Sequence, residues 1–162
     1  MKKERIPEEK KQFIEKIALE FEFFGIPRMG GRILGWLTVC DPPCQTSDQI
    51  AAAIGCSKSS VSSMTQLLLQ REMIERVGIP KDRKIYYQNN RYWWADVLRI
   101  RVVGVKRAQD ILETAIIKFG DENEHVRLKL EEMLDYYKFL NREIPLMWSH
   151  WLAKNSNKTK YG

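Results

Sequence analysis

Histidine and cysteine are scarce in this chain of 162 residues, which holds two of the first and three of the second. His125 and His150 fall in helical contexts, and no Ser, Cys or paired carboxylates beside a Gly-rich loop complete an acid–base or nucleophile motif. The chain is therefore expected not to be an enzyme. Cys40, Cys44 and Cys56 match no zinc or iron–sulfur spacing, since a closed zinc site wants four ligands and both histidines are remote in sequence. No metal and no cofactor are implied. The thiols read as small core or turn residues kept reduced, and a Cys40/Cys44 redox switch is the alternative. Long apolar runs are also missing. Charges interrupt every candidate within a few residues, which excludes a membrane span, and Met1 to Arg5 leads into a charged helix rather than an apolar signal core. A soluble, cytoplasmic protein is expected.

What is present is basic charge, unevenly placed. Lys and Arg number 27 against 21 Asp and Glu, a net charge of +6, and the sequence pI is about 9.2. From Gln45 to Arg91 seven basic residues face four acidic ones, half of the excess, whereas Asp121 to Gly162 balances seven against seven. A clustered positive footprint suits a nucleic-acid partner. With 44% hydrophobic residues the chain has enough apolar material for one core with helical appendages.

The segment Gln45 to Arg91 carries the most information. Thr46 and Gln49 form a capping box, and Ile50, Ala53 and Ile54 give the following helix an apolar face that stops at Gly55. Ser57 is a good N-cap for a second helix. Its apolar residues Val61, Met64, Leu67 and Leu68 fall at helical spacing, which leaves Lys58, Ser59, Ser60, Ser62, Ser63, Thr65 and Gln66 on its other faces. Two β-prone runs follow, Ile74 to Val77 and Ile85 to Tyr87, around a turn holding Lys81, Asp82, Arg83 and Lys84. The order spells a winged helix-turn-helix, a DNA-binding module. The Ser-rich helix would enter the major groove, and the charged hairpin tip would meet phosphates or the minor groove. A winged-helix subunit used only for protein contacts is the rival reading, and it predicts DNA binding that is weak and insensitive to salt.

Around this module the chain reads as helical. Glu8 to Phe24 places Phe13, Ile14, Ile17, Phe21 and Phe24 on one stripe, and Pro27 opens a helix through Val39 in which Gly30, Gly31 and Gly35 permit close packing. Tyr92 to Phe119 reads as one long helix with Trp94, Leu98, Val102, Val105, Leu112, Ala115, Ile116 and Phe119 at helical intervals. A last helix from Glu122 is expected to break or kink near Pro145 and to resume through Trp148 and Trp151. The tail after Lys154 is expected to be disordered. Stripes of this length have too little of their own chain to cover them, which implies a homodimer built from the terminal helices. The expected architecture is mainly α with a small β-hairpin wing. Residues 1–26 would form an N-terminal dimerisation helix, 27–91 the winged helix-turn-helix, 92–154 a C-terminal helical dimerisation region and 155–162 a tail.

Three blocks carry a family resemblance: Phe24 to Gly35, Gly55 to Ser62, and Asp82 to Tyr87. Together they resemble the GbsR branch of MarR-type transcriptional regulators over roughly Phe13 to Trp94. The resemblance implies a dimeric repressor that binds double-stranded DNA at a pseudopalindromic operator and answers to a small-molecule effector. It assigns DNA contacts to Thr46, Ser57, Lys58, Ser59, Ser60, Ser62, Ser63 and Gln66 on the recognition helix-turn-helix, and to Lys81, Arg83 and Lys84 on the wing. The wing departs from the family's frequent Asp, any residue, Arg pattern, because Lys84 stands where Arg is usual and cannot reproduce its planar fork. The branch is associated with choline and glycine betaine, cations that aromatic faces hold by cation–π attraction. Trp36, Tyr92, Trp93 and Trp94 are the candidate lining. Successive helical residues point about 100° apart, so the last three cannot all face one pocket if the helix has already begun there. Packing in the core or a dimer interface is the alternative for these rings.

Overall fold

The computed structural model describes residues 6–120 and 123–155. Expectations for the first five residues, and for the tail beyond Asn155, lie outside the described residues, as does the side chain of Leu98. The chain forms two compact units, one ending at Asp96 and the other beginning at Val97. Its described part is mainly helical, with six α-helices and a small antiparallel sheet of three strands.

The first helix, α1, runs Glu8–Phe23, opens with Glu8 and Glu9 in its first turn, and is followed by Gly25 at a φ of 79°. Acidic side chains there suit the positive end of the helix dipole. Ile14, Ala18 and Phe21 are its buried residues. They meet α2, Arg28–Val39, whose glycines admit the neighbouring backbone. A Cβ at Gly31 would stand 2.7 Å from the Cα of Ala18, and one at Gly35 would stand 3.2 Å from the Cα of Ile14. This corrects the expectation that α1's apolar stripe lacks cover within its own chain. The stripe is also rotated towards Ala18, because the closest helix approach selects the smallest side chain rather than the aromatic ones. Leu19 and Phe23 point outward, Phe23 with 76% of its surface exposed.

Next come β1, Gln45–Thr46, then α3, Ser47–Ile54, and α4, Lys58–Gln70. The wing is β2, Ile74–Gly78, and β3, Ile85–Asn89. The sheet order is β1-β3-β2, with Gln45 opposite Tyr87 and the hairpin in register from Ile74 opposite Asn89 to Gly78 opposite Ile85. Strand β1 adds to the expected hairpin; two residues are too few for an alternating pattern to show. Ile26, Ile33, Leu34, Ile50, Val61, Leu68, Met73 and Ile74 are buried to within 2% of full burial and form the core of this unit.

After β3 a 3-10 turn, Trp93–Ala95, precedes the long helix α5, Asp96–Phe119. The helix thus begins four residues later than the sequence pattern predicts. The last helix, α6, is continuous over Glu124–Asn155 with Pro145 inside it. Of the break or kink expected at Pro145, the break does not occur; Pro145 is exposed, so solvent can satisfy the carbonyl that loses its N–H partner. Asn141 Nδ2 donates to Gln109 Oε1 at 3.1 Å and Lys138 pairs with Glu113 at 3.9 Å, which ties α6 to α5. Val105, Leu112 and Leu134 are buried, whereas Ile111, Ile117, Leu128, Met133, Phe139 and Met147 are exposed. Among the described residues no helix is long and apolar enough to cross a membrane.

Candidate nucleic-acid interface

The turn between α3 and α4 is fixed by local hydrogen bonds. Thr46 and Gln49 complete the capping box, with Gln49 N donating to Thr46 Oγ1 at 3.3 Å and Thr46 N donating to Gln49 Oε1 at 2.8 Å. Gly55, at a φ of 66°, ends α3 in the left-handed conformation that a side chain would strain. Ser57 then caps α4 by accepting from Ser60 N at 3.1 Å. The hydroxyls of Ser59 and Ser60 lie 2.9 and 2.8 Å from Ser57 Oγ, so three hydroxyls cluster at the start of α4.

The two sides of α4 differ sharply. Val61, Thr65 and Leu68 are buried, while Lys58, Ser59, Ser62, Ser63 and Gln66 are exposed and Ser60 is half-buried. Thr65 corrects the sequence reading, which set it on an outward face. Its methyl group packs, and its hydroxyl donates to Ser62 O at 3.0 Å, so burial leaves no unmet donor. Ser63 Oγ donates to Ser59 O at 3.1 Å. Lys58 is not a free cation, because Asp48 lies 2.8 Å from its ammonium group.

At the wing tip Lys81 adopts a φ of 70° and Asp82 N donates to Ile79 O at 3.0 Å. The Asp82 carboxylate is the tip's internal anchor: one oxygen accepts from Lys84 N at 2.9 Å and the other from Tyr86 Oη at 2.8 Å. The Lys84 amide, then the Tyr86 hydroxyl, hold the Asp82 carboxyl below its usual range. The same bond holds the Tyr86 phenol above its ordinary value. Lys81, Arg83 and Lys84 are left exposed around this anchor. Sequence reasoning missed the roles of Asp82 and Tyr86, although an Asp two residues before the amide that it caps is a recognisable turn signal.

The four candidate effector aromatics have different surroundings. Trp93 is buried at 7% exposure with its ring centroid 4.9 Å from that of Phe21. Tyr92 and Trp94 meet edge to face at 6.2 Å, and the Arg91 guanidinium sits 5.0 Å over the Tyr92 ring. Trp36 is half-buried on α2, its indole N–H enclosed without a hydrogen-bond partner. The cysteines are free thiols. Burial pushes Cys40 up to about 11 and also raises Cys56, against the opposing charge of Arg32.

Comparison with known proteins agrees with this geometry. A family model described as the MarR family matches residues 37–86, and one described as an MmpR5-like MarR family transcriptional regulator matches residues 93–154. The chain is 30% identical to the HTH-type transcriptional regulator MmpR5 of Mycobacterium tuberculosis, over 82% of this chain and 81% of that protein. It is 29% identical to the HTH-type transcriptional repressor OpcR of Bacillus subtilis, over 91% of this chain and 88% of that one. The crystal structure of a transcriptional regulator superposes with a TM-score of 0.65 at 29% identity, covering 92% of this chain and 99% of the other.

Proposed function

This chain belongs to the MarR family of winged-helix transcriptional regulators, and on that footing we propose that it is a DNA-binding repressor acting as a homodimer on a pseudopalindromic operator. The observation that carries the reading is the outward face of α4. Ser59, Ser62, Ser63 and Gln66 project from a helix whose opposite side is anchored in the core, and short polar side chains let a helix approach base edges and phosphates closely. Ser57 and Ser60 keep the helix start in shape, where backbone N–H groups favour a phosphate. Thr46 does the same for α3, and Lys58 exchanges Asp48 for the DNA backbone. Lys81, Arg83 and Lys84 bring the wing's charge to the phosphates.

Dimerisation follows from apolar surface. Ile117 is 83% and Ile111 67% exposed, more than isolated surface residues require. Residues 92–154 therefore serve as the dimerisation region, assisted by Leu19 and Phe23 from residues 1–26, and a two-fold axis would present two copies of α4 to successive groove segments. Within the family the chain stands beside the GbsR-type regulators on its three blocks from Phe24, Gly55 and Asp82, in a cytoplasmic setting. Its effector is then a quaternary ammonium compound, with Tyr92, Trp94 and Trp36 as the aromatic faces; Trp93 is committed to Phe21, and a ligand cation would displace Arg91 from Tyr92. A redox regulator is disfavoured, because a reactive thiol needs a lowered pKa and burial drives Cys40 the other way.

The test is fluorescence anisotropy with a duplex enriched by the protein from a randomised library, set against a scrambled duplex at several salt concentrations. Tight binding to the enriched duplex with log affinity falling steeply against log salt is the expected result. Weak, salt-insensitive binding to both duplexes would favour the protein-assembly subunit. Titration of choline and glycine betaine against the bound complex checks the effector, which a lack of release by either would remove.

A further inference from the structure

We infer that Arg32 is a positioning residue for DNA reading, locking the turn ahead of α4 to the α1–α2 scaffold; the inference rests on the DNA-binding role proposed above. Helix α3 is only eight residues long, and its last carbonyls need partners from outside the helix. Ala51 O accepts from Cys56 N at 3.1 Å. Ile54 O is served from another helix, by Arg32 Nη2 of α2 at 2.9 Å. A cation at this end of a helix is also favoured by the dipole.

The guanidinium is held from its other side by α1. Glu15 Oε1 lies 2.7 Å from Arg32 Nε, and Glu15 Oε2 lies 3.1 Å from Arg28 Nη2. Arg32 Nε is enclosed and makes no aligned hydrogen bond, so Glu15 holds it by charge while the directed bond goes to Ile54. One side chain therefore ties together α1, α2 and the end of α3, three residues before the Ser57 cap. The field of Arg32 reaches the turn itself, where it opposes the effect of burial on the Cys56 thiol.

The far part of α4 has a separate anchor, Leu68, which lies beneath Gly30 of α2. Val61 and Thr65 also seat α4 in the core, so loss of Arg32 loosens the front of the helix, ahead of Val61, and lets it tilt about those buried residues. Ser59 lies nine residues from Leu68, about 13 Å along the axis, so a tilt of about 10° moves it by at most about 2 Å. Base contacts demand placement to about 0.5 Å; phosphate contacts through long, flexible wing side chains do not. Loss of the lock should therefore degrade discrimination between sequences more than general attraction to DNA.

The experiment compares the unmodified protein with Arg32→Gln, Arg32→Lys and Glu15→Gln on the library-enriched and scrambled duplexes, well below each unfolding midpoint. Arg32→Gln is expected to lower the ratio of the two affinities about tenfold with an unchanged salt slope. Arg32→Lys, which reaches the Ile54 carbonyl but not both partners, should recover part of that ratio. Glu15→Gln should also lower it, and tests the lock even if Arg32→Gln does not fold. Amide exchange in the DNA-free protein reads the same lock independently: Ser57 to Val61 should exchange faster in the variants, while Leu67 to Gln70 do not. An unchanged ratio and unchanged exchange in every folded variant would overturn the inference, as would an equal loss on both duplexes. Absence of DNA binding by the unmodified protein would instead sink the proposed function, with the exchange pattern still deciding the lock.

Discussion

Replacing Gly31 with Ala should destabilise the protein although it improves a helix residue. On an open helical surface the change from Gly to Ala stabilises by about 1 kcal/mol. At Gly31 the new Cβ would lie 2.7 Å from Ala18 Cα and 3.1 Å from Ala18 O, backbone atoms that no rotamer change can move, whereas ordinary contact begins near 3.4 Å. Helix α1 must then retreat by about 0.7 Å, loosening Ile14, Ala18 and Phe21 together. Overpacking of this kind costs about 3 kcal/mol at the upper end of its usual range. The net loss is about 2 kcal/mol, or about 4–8 °C in melting temperature for a chain of this size. Two other glycines calibrate the measurement. At Gly35 the Cβ would stand 3.2 Å from Ile14 Cα, so the clash is small and the two effects nearly cancel; at Gly104 nothing lies within 4 Å, so Ala should raise the midpoint. Thermal unfolding followed by far-UV circular dichroism, at one protein concentration, gives all three. A Gly31→Ala midpoint at or above that of Gly35→Ala would refute the close approach of α1 and α2.

What the amino-acid sequence alone makes legible is whatever is encoded locally. The capping box at Thr46 and Gln49, the Ser57 cap and the stop at Gly55 all sit within a few residues of the boundaries they set, and the structure places those boundaries there. The wing was legible for a similar reason, since two β-prone runs around a charged turn need no distant partner to be recognised. Features that depend on a remote partner were not. The hydroxyl of Thr65 suggests an outward face, but the side chain turns to the core once Ser62 O accepts that hydroxyl. Gly31 and Gly35 signal close packing, yet nothing in their spacing names α1 as the helix that approaches them. The Trp93–Ala95 turn delays α5 because Trp93 reaches the Phe21 ring, a contact across more than 70 residues of chain. Arg32 is harder still. Its directed partner is a backbone carbonyl, and every residue has one, so no residue type at position 54 could have marked the acceptor.

Three further outcomes follow from the site. Replacing Lys81, Arg83 and Lys84 together with Ala should weaken binding to enriched and scrambled duplexes alike and lower the salt slope by about 0.9 for each phosphate that the wing no longer neutralises; an unchanged slope in the anisotropy titration would remove the wing from the interface. Cys40, pushed up to about 11 from 9.0, should be alkylated by iodoacetamide at pH 8 about 100-fold more slowly than a cysteine in a short peptide, and a rate equal to the peptide's would mean that burial does not shield this thiol. Tyr86→Phe removes one of the two side-chain anchoring bonds at Asp82 and leaves the Lys84 amide. Asp82 is a carboxyl with a depressed native pKa, so its contribution to wing order is present above the ordinary carboxylate range and is lost as pH falls through the lowered native value. Its ionisation therefore adds no pH dependence to DNA affinity between about pH 5 and 8. In Tyr86→Phe the Asp82 carboxyl should titrate closer to its usual 3.8, read by NMR on the side-chain carbon, and the wing's amides should exchange faster. If Asp82 titrates identically with and without the Tyr86 hydroxyl, the carboxylate is not the tip's anchor, and the exposure of Lys81, Arg83 and Lys84 must be held by the backbone turn alone.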